Sequence, residues 1–169
     1  MSTRSLINVQ CLDGKIRSIY VHFDGDSHLE TLQKYYNTQD QAELLVSLGD
    51  LSILAERIAP KMGENHSFDN PIKGICVAYY RDRGENWDDE NPKYTPYQEI
   101  CKAFGVMPFD NPCKKDGCGF REFNSFEKAW KQDRGQEYIY EWSIDALGRS
   151  GWSKYKYNGK KRPIMYSAS

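Results

Sequence analysis

Two short apolar runs separated by a turn signal open the chain and limit how it can begin to fold. The first run covers residues 3–11 and the second covers residues 16–23, with Asp13-Gly14 between them. An Asp-Gly pair tolerates the positive φ angles that a type I′ turn needs at both central positions. The sequence therefore predicts a two-stranded antiparallel hairpin. Polar residues mark the start and the end of this hairpin: Arg4, and His22 with Asp24.

Capping signals after the hairpin predict three short helices. Ser27 and Glu30 have the spacing of a capping box, in which each side chain satisfies a backbone N–H at a helix start. This helix should run to about Tyr36. Thr38 opens a second box in front of an apolar stripe at helical spacing, and Asp50 would cap a third helix that ends before residue 60.

The rest of the chain alternates between loops, strands and helices. A near-continuous apolar run over residues 74–80 predicts the most buried strand. The other predicted elements are helices that start at Thr95 and at Asn124 or Ser125, and strands over residues 137–144, 152–157 and 160–165, the last two joined by Asn158-Gly159. This order predicts a single α+β domain over residues 1–169, with a mainly antiparallel sheet, short helices packed on it, and C-terminal antiparallel strands at about 137–166.

Composition is that of a folded protein without a membrane segment. A chain of 169 residues, 39% of them apolar, can bury a core and is not mainly disordered. No apolar stretch approaches the ~20 residues that span a bilayer, so we expect a cytoplasmic protein with no membrane partner. The five cysteines are an odd number without a secretory context, and we expect them to be reduced.

The net charge of −1 hides an uneven distribution. Residues 85–90 form an acidic segment around Trp87, whereas every charged side chain after Asp145 is basic. The two segments would either attract each other or face different partners.

His22 and Asp24 form the first candidate site. They lie two positions apart at the end of the predicted second strand, so their side chains would share one face. Such a pair could serve general acid-base chemistry or begin a metal site, although the other two histidines complete no metal-ligand spacing. The alternative is a polar turn in which Asp24 caps the following helix.

Cys113 and Cys118 form a second candidate site. Four residues separate them, a spacing found in the first half of structural zinc sites. A second half is missing, because no histidine follows in the segment and Cys101 falls in the apolar stripe of a predicted helix. We therefore expect no bound metal and no other cofactor.

The residues after the predicted buried strand are the preferred ligand segment. Binding residues often lie where a strand gives way to a loop, because the strand fixes the root of the loop. Arg81 and Arg83 can contact a phosphate while Tyr80 stacks on a base, and Trp87 follows in the acidic segment. The competing interpretation is a solvated strand end with Arg81 in an ion pair.

Aromatic and basic residues alternate from Trp152 to Tyr157. We interpret this pattern as a strand with its rings on one face and its lysines, including Lys154, on the other. Such a strand could bind nucleic acid, but an amphipathic strand with a basic outer face explains the pattern as well. Nucleic-acid binding normally needs a broader basic surface than this nearly neutral chain offers.

Five motifs carry a resemblance to a group of small bacteriophage and prophage proteins. They are Thr-Arg-Ser-Leu-Ile at residues 3–7, Tyr-x-His-aromatic-Asp-Gly at 20–25, Tyr-Asn-Thr at 36–38, Leu-Gly-Asp-Leu-Ser at 48–52 and Tyr-Arg-Asp-Arg-Gly at 80–84. The resemblance covers mainly residues 3–84. This chain has Phe23 where Trp is common in the group, and its segment at residues 26–29 is compact where others carry a longer loop.

The resemblance implies a phage accessory protein outside the virion. Such proteins often counter host defences by binding, so the leading hypothesis is non-catalytic binding to an immune effector or nuclease. The first alternative is sequestration of a nucleotide defence signal, with Arg4, Arg81 and Arg83 on phosphates and a tyrosine on the base. The second alternative is a small hydrolase that uses His22 and Asp24. The expected partner is thus a host defence protein or a nucleotide, nucleic acid is less favoured, and the oligomeric state is open.

Overall fold

A computed structural model describes residues 2–60, 64–79, 82, 93–95, 118–157 and 164–165, of which 93–95, 118–119 and 164–165 are described for the backbone alone. The elements within these ranges, in chain order, are β1 (Ser5–Gln10), β2 (Ile16–Val21), α1 (Leu29–Tyr35), α2 (Gln39–Val46), β3 (Leu51–Ile53), β4 (Val77–Ala78), β5 (Lys93–Thr95), β6 (Cys118–Phe123), α3 (Phe126–Trp130), β7 (Tyr138–Ile144), β8 (Ser150–Lys156) and β9 (Ile164–Met165). No helix in these ranges is long and apolar enough to cross a membrane.

The strands form a mixed sheet in the order β4-β3-β2-β1-β7-β8-β9. The β1–β7 and β2–β3 pairs are parallel, and the remaining pairs among the described strands are antiparallel. This confirms the predicted α+β class and the mainly antiparallel sheet with short helices. β1 lies at the centre because the N-terminal hairpin supplies one neighbour and the C-terminal strands supply the other.

The outer edge of β2 is shared by two strands. β6 pairs with the first half of β2, at Ile16 to Ser18, whereas β3 pairs with its end, at Val21. The sheet therefore forks along β2. β6 continues the fork outward by pairing with β5, and β3 continues it by pairing with β4.

The predicted N-terminal hairpin is present, but its turn differs from the expected type. β1 and β2 pair antiparallel from Ser5↔Val21 to Gln10↔Ile16. Gly14 has a φ of +86°, while Asp13 does not have a positive φ, so the turn is not type I′. The N–H of Cys11 donates to the carbonyl of Lys15, which leaves a three-residue loop that ends in a left-handed glycine.

The sheet packs an apolar core on one face, which we call the helical face because α1 and α2 cover it. Side chains from strands β1 to β4 and β6 to β8 form a buried cluster there with residues of both helices. The main contributors are Ile7, Ile19, Leu32, Leu45, Tyr140 and Trp142. Burial of large apolar side chains of this kind is the main stabilising contribution in a domain of this size.

The opposite face of the sheet, which we call the polar face, holds buried hydrogen-bonding groups beneath α3 and the loop after it. Gln132 Nε2 donates to Ser18 Oγ at 2.9 Å, and that hydroxyl donates to Asn8 Oδ1 at 2.5 Å. Trp130 Nε1 donates to the buried carboxylate of Glu141 at 2.8 Å. Burial raises the pKa of Glu141 to about 7, and the hydrogen bonds from Trp130 and Tyr155 oppose this shift.

The helix predictions are partly confirmed. Thr38 caps α2 as predicted, because its side chain accepts a hydrogen bond from the N–H of Gln41. The capping box at Ser27 is wrong: His28 occupies the N-cap position without a side-chain cap bond, and Ser27 Oγ donates to the carbonyl of Asp24. Ser125 caps α3, which confirms one of the two predicted starts.

The predicted third helix, over residues 50–60, is absent, because this segment contains β3. Leu51 is instead paired on both sides, with Val21 of β2 and with Ala78 of β4. The apolar spacing resembled one helical face, but the sheet supplies long-range hydrogen bonds that local propensity cannot anticipate. Asp50, the expected cap, faces the fork in the sheet.

The strand predictions for β4, β7 and β8 are confirmed. Residues 75–78 are buried as predicted, although β4 is only two residues long, and β7 and β8 match the predicted positions. Thr95 was expected to cap a helix but ends β5. The rest of that helix and the Asn158-Gly159 turn lie outside the described residues.

We expect that Val77→Asp destabilises the protein by about 3–5 kcal/mol, because it forces a carboxylate without a partner into the core beside β3. Val77 is 2% exposed. Urea unfolding measures the effect, and Lys73→Asp at an exposed position nearby is the control. An unchanged midpoint for Val77→Asp would contradict the burial of β4.

Glu141→Gln should stabilise the protein in a pH-dependent way. The folded-state pKa of Glu141 is about 7, above its usual value of 4.5, so folding disfavours the ionised form. The free energy of unfolding of the native protein therefore decreases as the pH rises from about 4.5 to 7, whereas the Glu141→Gln variant has no such decrease from this position. The difference between the two proteins should be near zero at pH 4 and on the order of 3 kcal/mol above pH 7. A difference independent of pH in urea titrations would contradict it.

Candidate functional site

A cleft of about 670 Å³ opens on the polar face where the sheet forks. Its floor comes from β2, β3, the residue before β1 and the residue after β4. Its walls come from β6, from the loop after α3 and from the loop before β4. Clefts of this volume are in the range that holds small-molecule ligands.

Strand register arranges the cleft floor in two rows of side chains. Ser5↔Val21 and Val21↔Leu51 are paired, so the residues one step along each strand are also neighbours on the polar face. One row is Arg4, His22 and Ser52, and we call it the donor row. The other row is Tyr20, Asp50 and Tyr79.

Asp50 holds the cleft together. One carboxylate oxygen accepts from the backbone N–H of Tyr20 at 2.9 Å and from Arg134 Nη1 at 3.0 Å, and the other accepts from Arg134 Nη2 at 2.5 Å. The guanidinium of Arg134 also lies 4.9 Å from the centre of the Tyr20 ring. This bidentate pair fixes the loop after α3 over β2. The positive charge of Arg134 is thereby neutralised.

His22 is a neutral hydrogen-bond donor in the cleft. Burial lowers its pKa, and the positive charge of Arg4 lowers it further. Burial raises the pKa of Tyr20, so the phenol stays protonated, and its oxygen is hydrogen-bonded to His22 Nδ1 at 2.7 Å. In the tautomer in which Tyr20 donates, the proton of the neutral imidazole lies on Nε2. In that tautomer His22 presents an N–H group on the side away from Tyr20.

Arg4 is held in place by its backbone while its charge stays available. Its carbonyl accepts from the N–H of Glu137 at 2.9 Å. Its guanidinium packs on Gly135, where a Cβ would lie 2.6 Å from Nη1. Among the described residues, Arg4 has no hydrogen-bond or ion-pair partner for its guanidinium.

Ser52 completes the donor row from β3. The residue is only 5% exposed, and its hydroxyl borders the cleft. Within the described part of the chain, this hydroxyl makes no hydrogen bond. The hydroxyl is therefore available to a ligand in the cleft.

An aromatic pair lies at the other side of the cleft. The rings of Phe68 and Tyr79 are 5.4 Å apart and tilted by 38°. A buried pair fixes the two segments that carry them: His66 Nε2 lies 3.3 Å from the Asp82 carboxylate, which also accepts from the N–H of Ala78 at 2.8 Å. Both side chains of this pair are fully buried, so they position the rings rather than face the cleft.

Of the residues predicted from sequence, Arg4 and His22 come together in the cleft. Asp24 does not join them. It has a φ of +60° in the turn before α1, where its carbonyl accepts from Ser27, and it makes no hydrogen bond to His22 among the described contacts. The turn interpretation therefore holds for Asp24, although its side chain does not cap the helix.

The predicted division of β8 into an aromatic and a basic face is wrong at Trp152. Residues two apart share a face, so Trp152 and Lys154 both lie on the helical face. Trp152 is 7% exposed and donates from Nε1 to the carbonyl of Tyr36 at 2.9 Å, which makes it a core residue. Lys154 lies over the Tyr138 ring and donates to the carbonyl of Asp26.

Other predicted site residues fall outside the described part of the chain: Tyr80, Arg81, Arg83, Trp87 and Cys113. Cys118 lies in β6 and is described for its backbone alone. Within the described residues, no group of three or more His, Cys, Asp and Glu side chains could hold a metal ion.

Sequence reasoning missed Ser52, Asp50 and Arg134 as cleft residues. Asp50 and Ser52 were assigned to a helix, and the alternating Asp-Leu-Ser-Ile pattern was the available signal for a strand. Arg134 carried no signal, since its partner lies 84 positions away. Comparison of the chain with protein-family models, with curated proteins and with solved structures gives no match.

The Asp50–Arg134 pair should be strongly coupled, because both side chains are largely buried, at 19% and 14% exposure. A double-mutant cycle with Asp50→Asn and Arg134→Gln should give a coupling free energy of about 1–3 kcal/mol in urea unfolding. The matched control is the exposed pair Asp145–Arg149, whose cycle should show no measurable coupling. Equal coupling in the two cycles would contradict this role for Asp50.

Proposed function

We propose that the protein is a non-catalytic binding protein whose cleft sequesters a nucleotide. The observation that carries the proposal is that one cleft combines an aromatic pair with the donor row, in which Arg4 and Ser52 have no side-chain hydrogen-bond partner among the described residues and His22 has one, Tyr20. A nucleotide combines the two matching features, an anionic phosphate and a flat base. Aromatic rings bind bases by stacking with little dependence on sequence.

The charge of the cleft supports an anionic ligand. Among its described side chains, three arginines face two aspartates, Asp50 and Asp133. The Asp50 charge is already matched by Arg134. A small excess of positive charge in a partly enclosed cleft attracts anions and strengthens their hydrogen bonds.

His22 favours binding over acid-base chemistry. A general base of the His-Asp type needs a carboxylate on its second nitrogen, and His22 has the Tyr20 hydroxyl there instead. The lowered pKa of His22 also makes its protonated form scarce at neutral pH. The hydrolase that pairs His22 with Asp24 is therefore the least supported of the three hypotheses.

The resemblance to phage proteins implies a biological role for the proposed binding. A phage protein in the host cytoplasm that removes a nucleotide signal would prevent a defence effector from being activated. This role needs no catalysis, no metal and no cofactor. It is the first of the two alternatives raised by the sequence, and the cleft favours it over the leading one.

One observation favours direct binding to a host effector as a second candidate. Leu12 and Leu147 are 75% and 76% exposed at the tips of two hairpins. β1 and β7 are parallel neighbours, so the two tips lie at the same end of the sheet. Exposed apolar side chains on firm turns are suited to contacts with another protein.

Native mass spectrometry of the protein purified from host cells tests both candidates. We expect a bound small molecule that is released on denaturation and absorbs as a nucleobase. Phe68→Ala should weaken binding about tenfold and so lower the bound fraction, in line with the loss of one stacking ring. Leu12→Ala with Leu147→Ala should leave it unchanged.

The two sets of variants serve as controls for each other. A host protein that co-purifies with the chain, and is lost with the leucine variant but retained with Phe68→Ala, would support the effector candidate instead. Protein that carries no nucleotide and takes up none from an added mixture of ribonucleotides would refute the nucleotide proposal.

A further inference from the structure

We propose that the donor row, formed by Arg4, His22 and Ser52, is a subsite for the terminal phosphate of a nucleotide, that is, for a phosphate monoester rather than a diester. This inference rests on the proposed function and adds the position and the chemical class of the anion. The three side chains come from three adjacent strands and face the same cleft. Adjacent strands lie about 4.8 Å apart, so the groups can converge on one small anion.

Each member of the row offers a donor without a competing partner in the described chain. Arg4 supplies a fork of N–H groups and a permanent positive charge. We assign His22 the tautomer in which Nδ1 accepts from the Tyr20 hydroxyl 2.7 Å away, so that it supplies Nε2–H. Ser52 supplies a hydroxyl from the cleft floor.

Backbone hydrogen bonds hold the strands that carry the row before any ligand arrives. The N–H groups of His22 and Phe23 donate to the carbonyls of Leu51 and Ser52 at 3.0 and 3.2 Å, which joins the end of β2 to β3. The Arg4 guanidinium lies against Gly135, where a Cβ would come within 2.6 Å of Nη1. The backbone of the row is therefore ordered before binding, and the exposed Arg4 side chain is left to be ordered by the ligand.

The number and charge of the donors favour a terminal phosphate over an internal diester. A terminal phosphate has three free oxygens and close to two negative charges, so each donor can find its own oxygen. A diester has two free oxygens and one negative charge, and one donor of the row would stay unmatched. A donor that loses water at the contact without gaining a partner reduces affinity.

Within the described part of the chain, the cleft contains no second cation that is equally available. Among the described residues, Arg134 is bound to Asp50 through both nitrogens, and Arg121 donates to Gln132 Oε1 at 3.0 Å. The base would then lie toward Phe68 and Tyr79, across the floor formed by Tyr20 and Asp50. The phosphate and the base thus occupy opposite sides of one cleft.

Isothermal titration calorimetry with matched probes tests this assignment. The probes are the 5′-monophosphates of adenosine, guanosine, cytidine and uridine, the corresponding nucleosides, and the corresponding 3′,5′-cyclic monophosphates. For the base that binds best, we expect the 5′-monophosphate to bind at least about tenfold more tightly than both other forms.

Three variants locate the phosphate. Arg4→Gln and Ser52→Ala should each reduce the advantage of the monophosphate over the nucleoside to about threefold or less, while the affinity for the nucleoside stays the same. Arg149→Gln is the matched control, because this arginine is exposed and pairs with Asp145 at the opposite end of the sheet. It should change neither affinity. Melting curves of all three variants establish that they are folded.

The outcomes separate this inference from the proposed function. Equal affinity for the monophosphate and the cyclic diester, or an advantage that persists in both Arg4→Gln and Ser52→Ala, would overturn the terminal-phosphate subsite and leave nucleotide binding intact. If neither nucleotides nor nucleosides bind, the proposed function fails and this inference fails with it.

Discussion

The cleft depends on one carboxylate that closes a fork in the sheet. β2 has β6 beside its first half and β3 beside its end, and the backbone N–H of Tyr20 lies where one neighbour gives way to the other. Asp50 accepts that N–H and, through the same carboxylate, holds Arg134 over the fork. Without this contact, a buried N–H and a partly buried guanidinium would both lose their partner. The fork can therefore stay open as a cleft, instead of closing into a continuous sheet or opening to water.

The two faces of the sheet bury ionisable groups of opposite type, and this sets the response of the fold to pH. On the helical face, burial lowers the pKa of His28 to about 4, so its contribution to stability is complete above 6.5 and is lost as the pH falls toward 4. On the polar face, burial raises the pKa of Glu141 to about 7, so its contribution is complete below 4.5 and is lost as the pH rises toward 7. Between about 4.5 and 6.5 the two slopes oppose each other. The contributions of these two groups therefore give a plateau of stability at mildly acidic pH. The neutral donors of the cleft, His22 and Ser52, are also present at higher pH.

Local signals in the sequence were enough for the hairpin, for α2 and for the C-terminal strands, because each depends on residues close together in the chain. The same reasoning failed at β3, where a short apolar pattern fits a helix and a strand equally well and only pairing with Val21 and Ala78 decides. That single error concealed Ser52. Arg4 and His22 could be singled out because the predicted hairpin carries both. Their relation to Ser52 could not, since it depends on a parallel pairing between strands that are separated by two helices.

The donor row lies on a sheet rather than on a mobile loop, and this placement suits the sequestration that we propose. A protein that removes a signal acts once per molecule, so its effect depends on affinity and slow release rather than on turnover. The strands that carry the donors are hydrogen-bonded, so their backbone needs no ordering when a ligand arrives. Among the described residues, the Ser52 hydroxyl and the exposed Arg4 guanidinium have no hydrogen-bond partner, so both are available to a matching anion. A catalytic site would need groups whose interactions strengthen in a transition state. Here one ring nitrogen of His22 is hydrogen-bonded to Tyr20 rather than to a carboxylate, which suits the proposed binding of a ground state better than acid-base catalysis.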